Sequence, residues 1–197
     1  MINTMKMNIL SLCFVLLIIT SSAVSQTTNS AVRAKFLLEG GVEYGGDEII
    51  KVFFTNGGDQ TMRAGQGGYI AAGGQFEFSS IKNFILRTTI GIKYNTTAAD
   101  NANIRLTRIP ITLMPQLQLK HNFRIGLGIT THQSINFKGD GFVQDIKFTS
   151  SLAPRLEFGY KWIALTYTPI KYKAESGKEL SASSFGIALS HAFSKKK

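Results

Sequence analysis

The chain of 197 residues has room for one domain, or at most a small pair. Hydrophobic residues make up 44% and charged residues only 17%, below the usual quarter, which excludes disorder, a coiled coil and a highly charged tail protein. Gly at 19, Phe at 14 and Tyr at 6 against 4 Pro is strand-and-turn composition. The net charge of +10 is compatible with nucleic acid, anionic lipid headgroups or lipopolysaccharide phosphates as partners. The basic residues are spread along the chain, only Lys195, Lys196 and Lys197 form a run, and there is no nucleic-acid motif, so no nucleic-acid partner is expected.

Residues 1–25 read as a cleaved signal peptide. Lys6 supplies the charge, residues 9–20 form an apolar run too short to span a membrane as a mature helix, and Ala23-Val24-Ser25 offers small residues before a cleavage at Gln26. Cys13 lies in the apolar core behind Leu12 rather than a small residue, which argues against lipid attachment. Residues 26–197 then form the working domain, without cysteine, which removes thiolate chemistry and disulfide scaffolds together.

Beyond residue 26 the recurring pattern is alternation with period two in segments of about ten residues, the pattern of a membrane β-barrel strand. The first segment, 32–44, offers Phe36, Leu38, Val42 and Tyr44 to one face. Residues 48–55 and 59–63 then read as a hairpin around Asn56-Gly57-Gly58. Its outgoing arm could face lipid through Ile50, Val52 and Phe54, which would make a ten-stranded barrel. The return arm, with Gln60, Met62 and Ala64 on one face and Thr61, Arg63 and Gly65 on the other, gives no apolar surface, and Arg in mid-bilayer costs roughly 2 to 4 kcal/mol. The hairpin is therefore expected above the membrane, within the first long loop.

Segments 70–78, 84–94, 107–119, 123–131, 152–160, 162–172 and 184–193 complete a set of eight strands. The clearest is 84–94, where Phe84, Leu86, Ile90, Ile92 and Tyr94 oppose Ile85, Arg87, Gly91 and Lys93. The connections 79–83, 120–122 and the neighbourhood of Lys161 are short, whereas 45–68, 95–105, 132–151 and 173–183 are long. This strict alternation matches the short periplasmic turns and long extracellular loops of outer-membrane barrels. Aromatic residues gather at strand ends: Phe78, Phe84, Phe123, Tyr160, Trp162 and Phe193 at the short-turn end, and Tyr44, Tyr94 and Tyr172 at the other. Two interfacial girdles are expected from them.

On these strands, this loop order and a last strand ending in Phe193, the chain resembles the small eight-stranded outer-membrane barrels of the OmpA/OmpX-like group over essentially the whole of 26–197. The resemblance implies an antiparallel up-and-down barrel in the outer membrane of a Gram-negative bacterium. Outer-membrane lipids and lipopolysaccharide are the implied surroundings, the insertion machinery a transient partner, and a monomer the implied state. It also implies an assembly signal in the last strand, matched here by Ser184, Gly186, Leu189 and Phe193, with His191 replacing an apolar residue.

An eight-stranded barrel is wide enough only for side chains to fill it. Arg33, Lys35, Glu39, Glu43, Arg87, Arg124, Arg155 and Glu157 fall on inward faces, with Gly126, Gly128, Gly186 and Ala188 leaving them room. Unpaired they would be too costly, so a lumen network of ion pairs is expected. His132-x-Ser134 resembles the His-x-Ser pair of small-barrel lipid A deacylases, although those enzymes carry it on the outer wall and Asn136 follows Ser134 one residue late. The acids Asp100, Asp140 and Asp145 match no calcium-loop spacing, so neither metal nor cofactor is expected. The function expected is structural, adhesive or surface-binding and not enzymatic; a small channel and a lipid A hydrolase using His132 and Ser134 stand as alternatives.

Overall fold

The computed structural model describes residues 31–53, 57–97 and 103–194. The expected signal peptide over 1–25, Phe54, Asn56, Asp100 and the Lys195–197 tail lie outside them. Thirteen strands follow in chain order: β1 (Val32–Tyr44), β2 (Glu48–Phe53), β3 (Asp59–Arg63), β4 (Gly67–Phe78), β5 (Phe84–Thr96), β6 (Arg105–Gln118), β7 (Phe123–Lys138), β8 (Ile146–Ser150), β9 (Ala153–Tyr160), β10 (Ile163–Thr168), β11 (Lys171–Ala174), β12 (Glu179–Ser181) and β13 (Ser184–Phe193).

Eight of them close a ring in the order β1, β4, β5, β6, β7, β9, β10, β13 and back to β1. The first and last strands meet antiparallel from Phe36 opposite Phe193 to Tyr44 opposite Phe185, and β7 meets β9 from Phe123 opposite Tyr160 to Thr130 opposite Ala153. Closure leaves no unpaired edge in the ring, the condition under which strands can cross hydrocarbon. The outer wall is apolar: Val42, Ile70, Ile90, Leu127, Leu165 and Phe185 are all exposed. Such a continuous belt has no place in water, and the chain is an all-β, eight-stranded transmembrane barrel. Among the described residues no helix is long and apolar enough to cross a membrane.

The short turns are made by residues that tolerate left-handed backbone. Asn83 has φ 64°, His121 and Asn122 have 59° and 64° in the 3-10 turn Lys120–Asn122, and Lys161 has 53°. The hairpin of β2 and β3 is a separate two-stranded sheet, so the ten-strand alternative does not hold.

The long-loop end is more ordered than alternation in the sequence suggests. The wall continues past the apolar belt as β7, β8, β11 and β12, so the expected loop over 132–151 is largely strand and that over 173–183 is a short hairpin end with strand at 173–174 and 179–181. Their outward faces are polar while Ile135, Phe137, Phe148 and Tyr172 face inward, and a search for lipid-facing strands passes over them. Against this inner face lies the hairpin. Met62 and Ala64 are buried in one cluster with Leu106, Ile135, Phe137 and Ile170, and Ile50 and Val52 pack on its flank. The return arm therefore does carry apolar surface, two side chains of it, and forms a cap over the barrel mouth.

Candidate functional site: the lumen and its cap

Three layers of charge run through the barrel. At the short-turn rim Lys35 Nζ lies 2.5 Å from Glu77 Oε1. Arg33 is 3.9 Å from the same carboxylate with its side chain 73% exposed, so it stands at the rim and not in the lumen where the sequence placed it. Its position next to the first residue of β1 leaves no wall beyond it to enclose it.

The next layer centres on Glu157. Its Oε1 accepts hydrogen bonds at 2.9 Å from both Arg124 Nε and Gln116 Nε2, with Arg87 Nη1 3.9 Å away. Arg87 also donates from Nε to Gln75 Oε1 at 2.9 Å and from Nη1 to Ser190 Oγ at 3.1 Å. A Cβ on Gly159 would lie 2.5 Å from Arg124 Cζ, so glycine there gives the guanidinium its bed. Between this layer and the one above is a cavity of about 10 Å³ lined by Glu39, Arg87, Thr112 and Arg155. That is room for about one water molecule.

The upper layer centres on Glu43. Its carboxylate accepts from Arg155 Nη1 at 2.7 Å, from Ser184 Oγ at 3.0 Å and from Lys93 Nζ. Arg155 reaches on to Thr168 Oγ1 at 3.0 Å and Tyr69 Oη at 3.2 Å, and the Tyr69 hydroxyl donates to Glu39 at 2.8 Å. Among the described residues no cation lies within ion-pair distance of Glu39; its hydrogen-bond partner is a phenol. Gly186 faces this group, where a Cβ would meet Glu43 Cγ at 2.5 Å.

Two buried cations tie this layer to the cap. Lys93 Nζ donates at 2.7 Å to the carbonyl of Gly65, while Arg108 donates from Nη1 to Ala64 O and from Nη2 to Gln66 O. Three successive carbonyls of the return arm thus point down onto cations of the barrel wall. Neither cation was singled out from the sequence, and both could have been. Lys93 shares the inward face of β5 with Arg87, and Arg108 shares the face of β6 that carries Met114 and Gln116.

The candidate catalytic pair is not brought together. Between β6 and β7 the pairing steps from Ile109 opposite Gln133 to Thr107 opposite Asn136, so Ser134 and Ile135 bulge against Arg108. Ser134, at φ 49°, is exposed on the outside, whereas His132 is buried and its Nδ1 is hydrogen-bonded to the Tyr172 hydroxyl. Spacing by two puts residues on one face only in a regular strand, and the bulge breaks it. Tyr172 itself, placed in the upper girdle from the sequence, is 1% exposed. It shares parity with inward Thr166 and Thr168, a signal that its position at a strand end concealed.

The other aromatics expected in the girdles stand on the outer wall or turns. Tyr44, Tyr94, Phe123, Tyr160, Trp162 and Phe193 are exposed, and Phe78 packs on Phe84 across the first turn with ring centroids 5.7 Å apart. In the last strand Leu189 and Phe193 face outward and Ser184 inward, and the His191 ring meets Phe193 edge-on at 4.6 Å. In the β7–β8 loop Lys138 Nζ at 2.6 Å and then the Gly139 N–H at 2.9 Å hold the Asp145 carboxyl below its ordinary range. Asp140 accepts from the Asn103 N–H at 2.7 Å, so both acids already have protein donors. Among the described residues no three His, Cys, Asp or Glu side chains gather as a metal site would require.

No family model and no curated protein matches the chain. Among solved structures the chain is similar to the crystal structure of Neisserial surface protein A (NspA), with 9% identity and a TM-score of 0.41, over 81% of this chain and 99% of that one.

Proposed function

We propose that the protein is a non-conducting, non-enzymatic barrel of the bacterial outer membrane that presents its long-loop end as a structural, adhesive or surface-binding platform. The observation that carries this reading is a lumen obstructed at two heights. The Glu157 and Glu43 layers enclose a cavity of about 10 Å³, and the hairpin covers the mouth above them. An ion path would need both to move. The split of His132 from Ser134 removes the geometry a hydrolase would need, since nucleophile and base must lie within hydrogen-bond reach. The apolar belt suits a monomer bathed in lipid, and β13 with Leu189 and Phe193 outward suits recognition by the insertion machinery. The test is single-channel recording of the refolded chain in planar bilayers beside a panel of envelope and host molecules. A closed baseline with selective binding is expected. Regular conductance steps from the wild-type chain would overturn the reading in favour of a channel.

A further inference from the structure

Where the apolar belt ends on the β9–β10 side of the barrel, an exposed basic face begins. Tyr167 and Phe185 stack on the outer wall with centroids 4.5 Å apart at the top of the belt. Four residues beyond Tyr167, about 13 Å along the chain, Lys171 points outward, followed by Lys173. On the neighbouring strand Leu152 is 66% exposed and marks the belt's edge, and Ser151, Thr149 and Lys147 climb from it. Thr149 stands directly opposite Lys173, and the Ser151 N–H donates to the Lys171 carbonyl at 3.1 Å. The three lysines are exposed, and among the described residues none has a carboxylate within ion-pair distance, unlike Lys138 and Lys51, which are bridged to Asp145 and Asp59; Glu175, whose N–H donates to the Lys147 carbonyl, closes the face at its top. Glu179, opposite Lys173, and Asp47, bonded to the Ser181 N–H, bound the face on its β12 side.

Four strands round the ring, the step above Tyr94 carries Gly67, Gly68, Asn95 and Thr96. Its outward cation, Arg105, is half-buried opposite Thr96 and beside Lys138, which is already bridged to Asp145.

We infer that Lys147, Lys171 and Lys173 form a docking face for the phosphate groups of an outer-leaflet glycolipid whose acyl chains lie on the apolar wall below. The inference rests on the outer-membrane reading above. Continuity with the lipid-facing belt selects a lipid over a soluble anion, and charge complementarity selects a phosphorylated headgroup. Three ammonium groups on adjoining strands match a phosphate that accepts several charge-assisted hydrogen bonds at once, while the Thr149 and Ser151 hydroxyls between them are held by the Lys173 and Lys171 carbonyls.

The test uses the full refolded chain in micelles, titrated with bisphosphorylated lipid A, with the same lipid after enzymatic dephosphorylation, and with phosphatidylglycerol, bound lipid being counted by native mass spectrometry. Each lysine near an anionic surface contributes roughly a fivefold factor, so the triple variant Lys147→Ser, Lys171→Ser, Lys173→Ser is expected to bind bisphosphorylated lipid A roughly 100-fold more weakly. The triple Lys→Arg variant is expected to keep binding, which separates loss of charge from misfolding. Equal binding by wild type and the triple Ser variant, or wild-type binding of the dephosphorylated lipid or phosphatidylglycerol as tight as that of lipid A, would overturn the inference. An outer-membrane barrel without phosphate preference sinks only this site. A chain that fractionates away from the outer membrane sinks the outer-membrane reading with it.

Discussion

Lys93 and Gly65 join the barrel to its cap: the buried ammonium donates at 2.7 Å to the Gly65 carbonyl while also pairing with the Glu43 carboxylate. One side chain thus holds a transmembrane wall, a lumen acid and a loop hairpin in register. Lys93→Met keeps the apolar stem and removes the charge, which frees the Gly65 carbonyl and leaves Glu43 with Arg155 and Ser184. Breaking a buried pair costs about 3 to 5 kcal/mol, and the surviving Arg155 puts the expected loss at the lower end. Urea unfolding of the refolded barrel measures that loss, and limited proteolysis should show faster cutting within 48–63. Unchanged stability together with an unchanged protease pattern would mean that the cap is held by its apolar contacts alone.

Glu157 gives the complementary test in the lower lumen. It accepts from Arg124 and Gln116, and Arg87 stands at 3.9 Å. Glu157→Ala leaves two buried guanidinium groups facing each other, with Arg124 retaining the Lys161 carbonyl and a long bond to Ser190. The expected cost is again about 3 to 5 kcal/mol. A change of only a few tenths would show that water reaches these charges, and the channel alternative would gain ground.

How much of this was legible in the sequence depends on which face a residue shares with lipid. Period-two alternation marks Phe84 to Tyr94 as clearly as it marks Leu127 and Ile129, because lipid rewards apolar residues on one side and leaves the other free. Above the membrane that contrast fades. Phe137 and Phe148 point into the cap and their outward neighbours Asn136 and Lys147 are polar, so β8 and the upper half of β7 read as loop. The inward charges Arg87, Arg124, Arg155 and Glu157 follow from parity. Which of them pair does not, because partners such as Arg155 and Glu43 are 112 residues apart and meet only through the order of strands around the ring. The bulge at Ser134 left no mark in residue type, since Ser is not a residue that favours left-handed backbone.

The orientation of the barrel is open to direct labelling. Gly141, in the β7–β8 loop, has nothing within 4 Å of a built Cβ, and Lys120 is exposed in a short turn. The lone natural cysteine is Cys13, so a Cys13→Ser background lets a single introduced cysteine report alone. A membrane-impermeant maleimide should label Gly141→Cys in intact cells and leave Lys120→Cys unlabelled until the envelope is opened. The reverse pattern would place the hairpin cap in the periplasm and the basic face against the wrong leaflet.

The His132 and Ser134 pair separates a structural from a catalytic role by the sign of two stability changes. A deacylase requires both side chains, so His132→Ala and Ser134→Ala would each abolish it, and lipid A from expressing cells would regain an acyl chain. The structure predicts unchanged lipid A in both cases. It also predicts opposite effects on folding. His132→Ala takes a buried ring from the Tyr172 hydroxyl, which keeps only a long contact to Arg108 at 3.4 Å, and should cost about 1 to 3 kcal/mol. Ser134→Gly relieves the left-handed conformation at φ 49°, where a side chain costs roughly 1 to 2 kcal/mol, partly offset by the greater freedom of glycine in the unfolded chain. A small gain in urea midpoint for Ser134→Gly, a loss for His132→Ala and an unaltered lipid A mass spectrum fit a strand bulge and a buried hydrogen bond. An acyl chain whose loss depends on both residues would establish an enzyme and overturn the reading of an inert barrel wall.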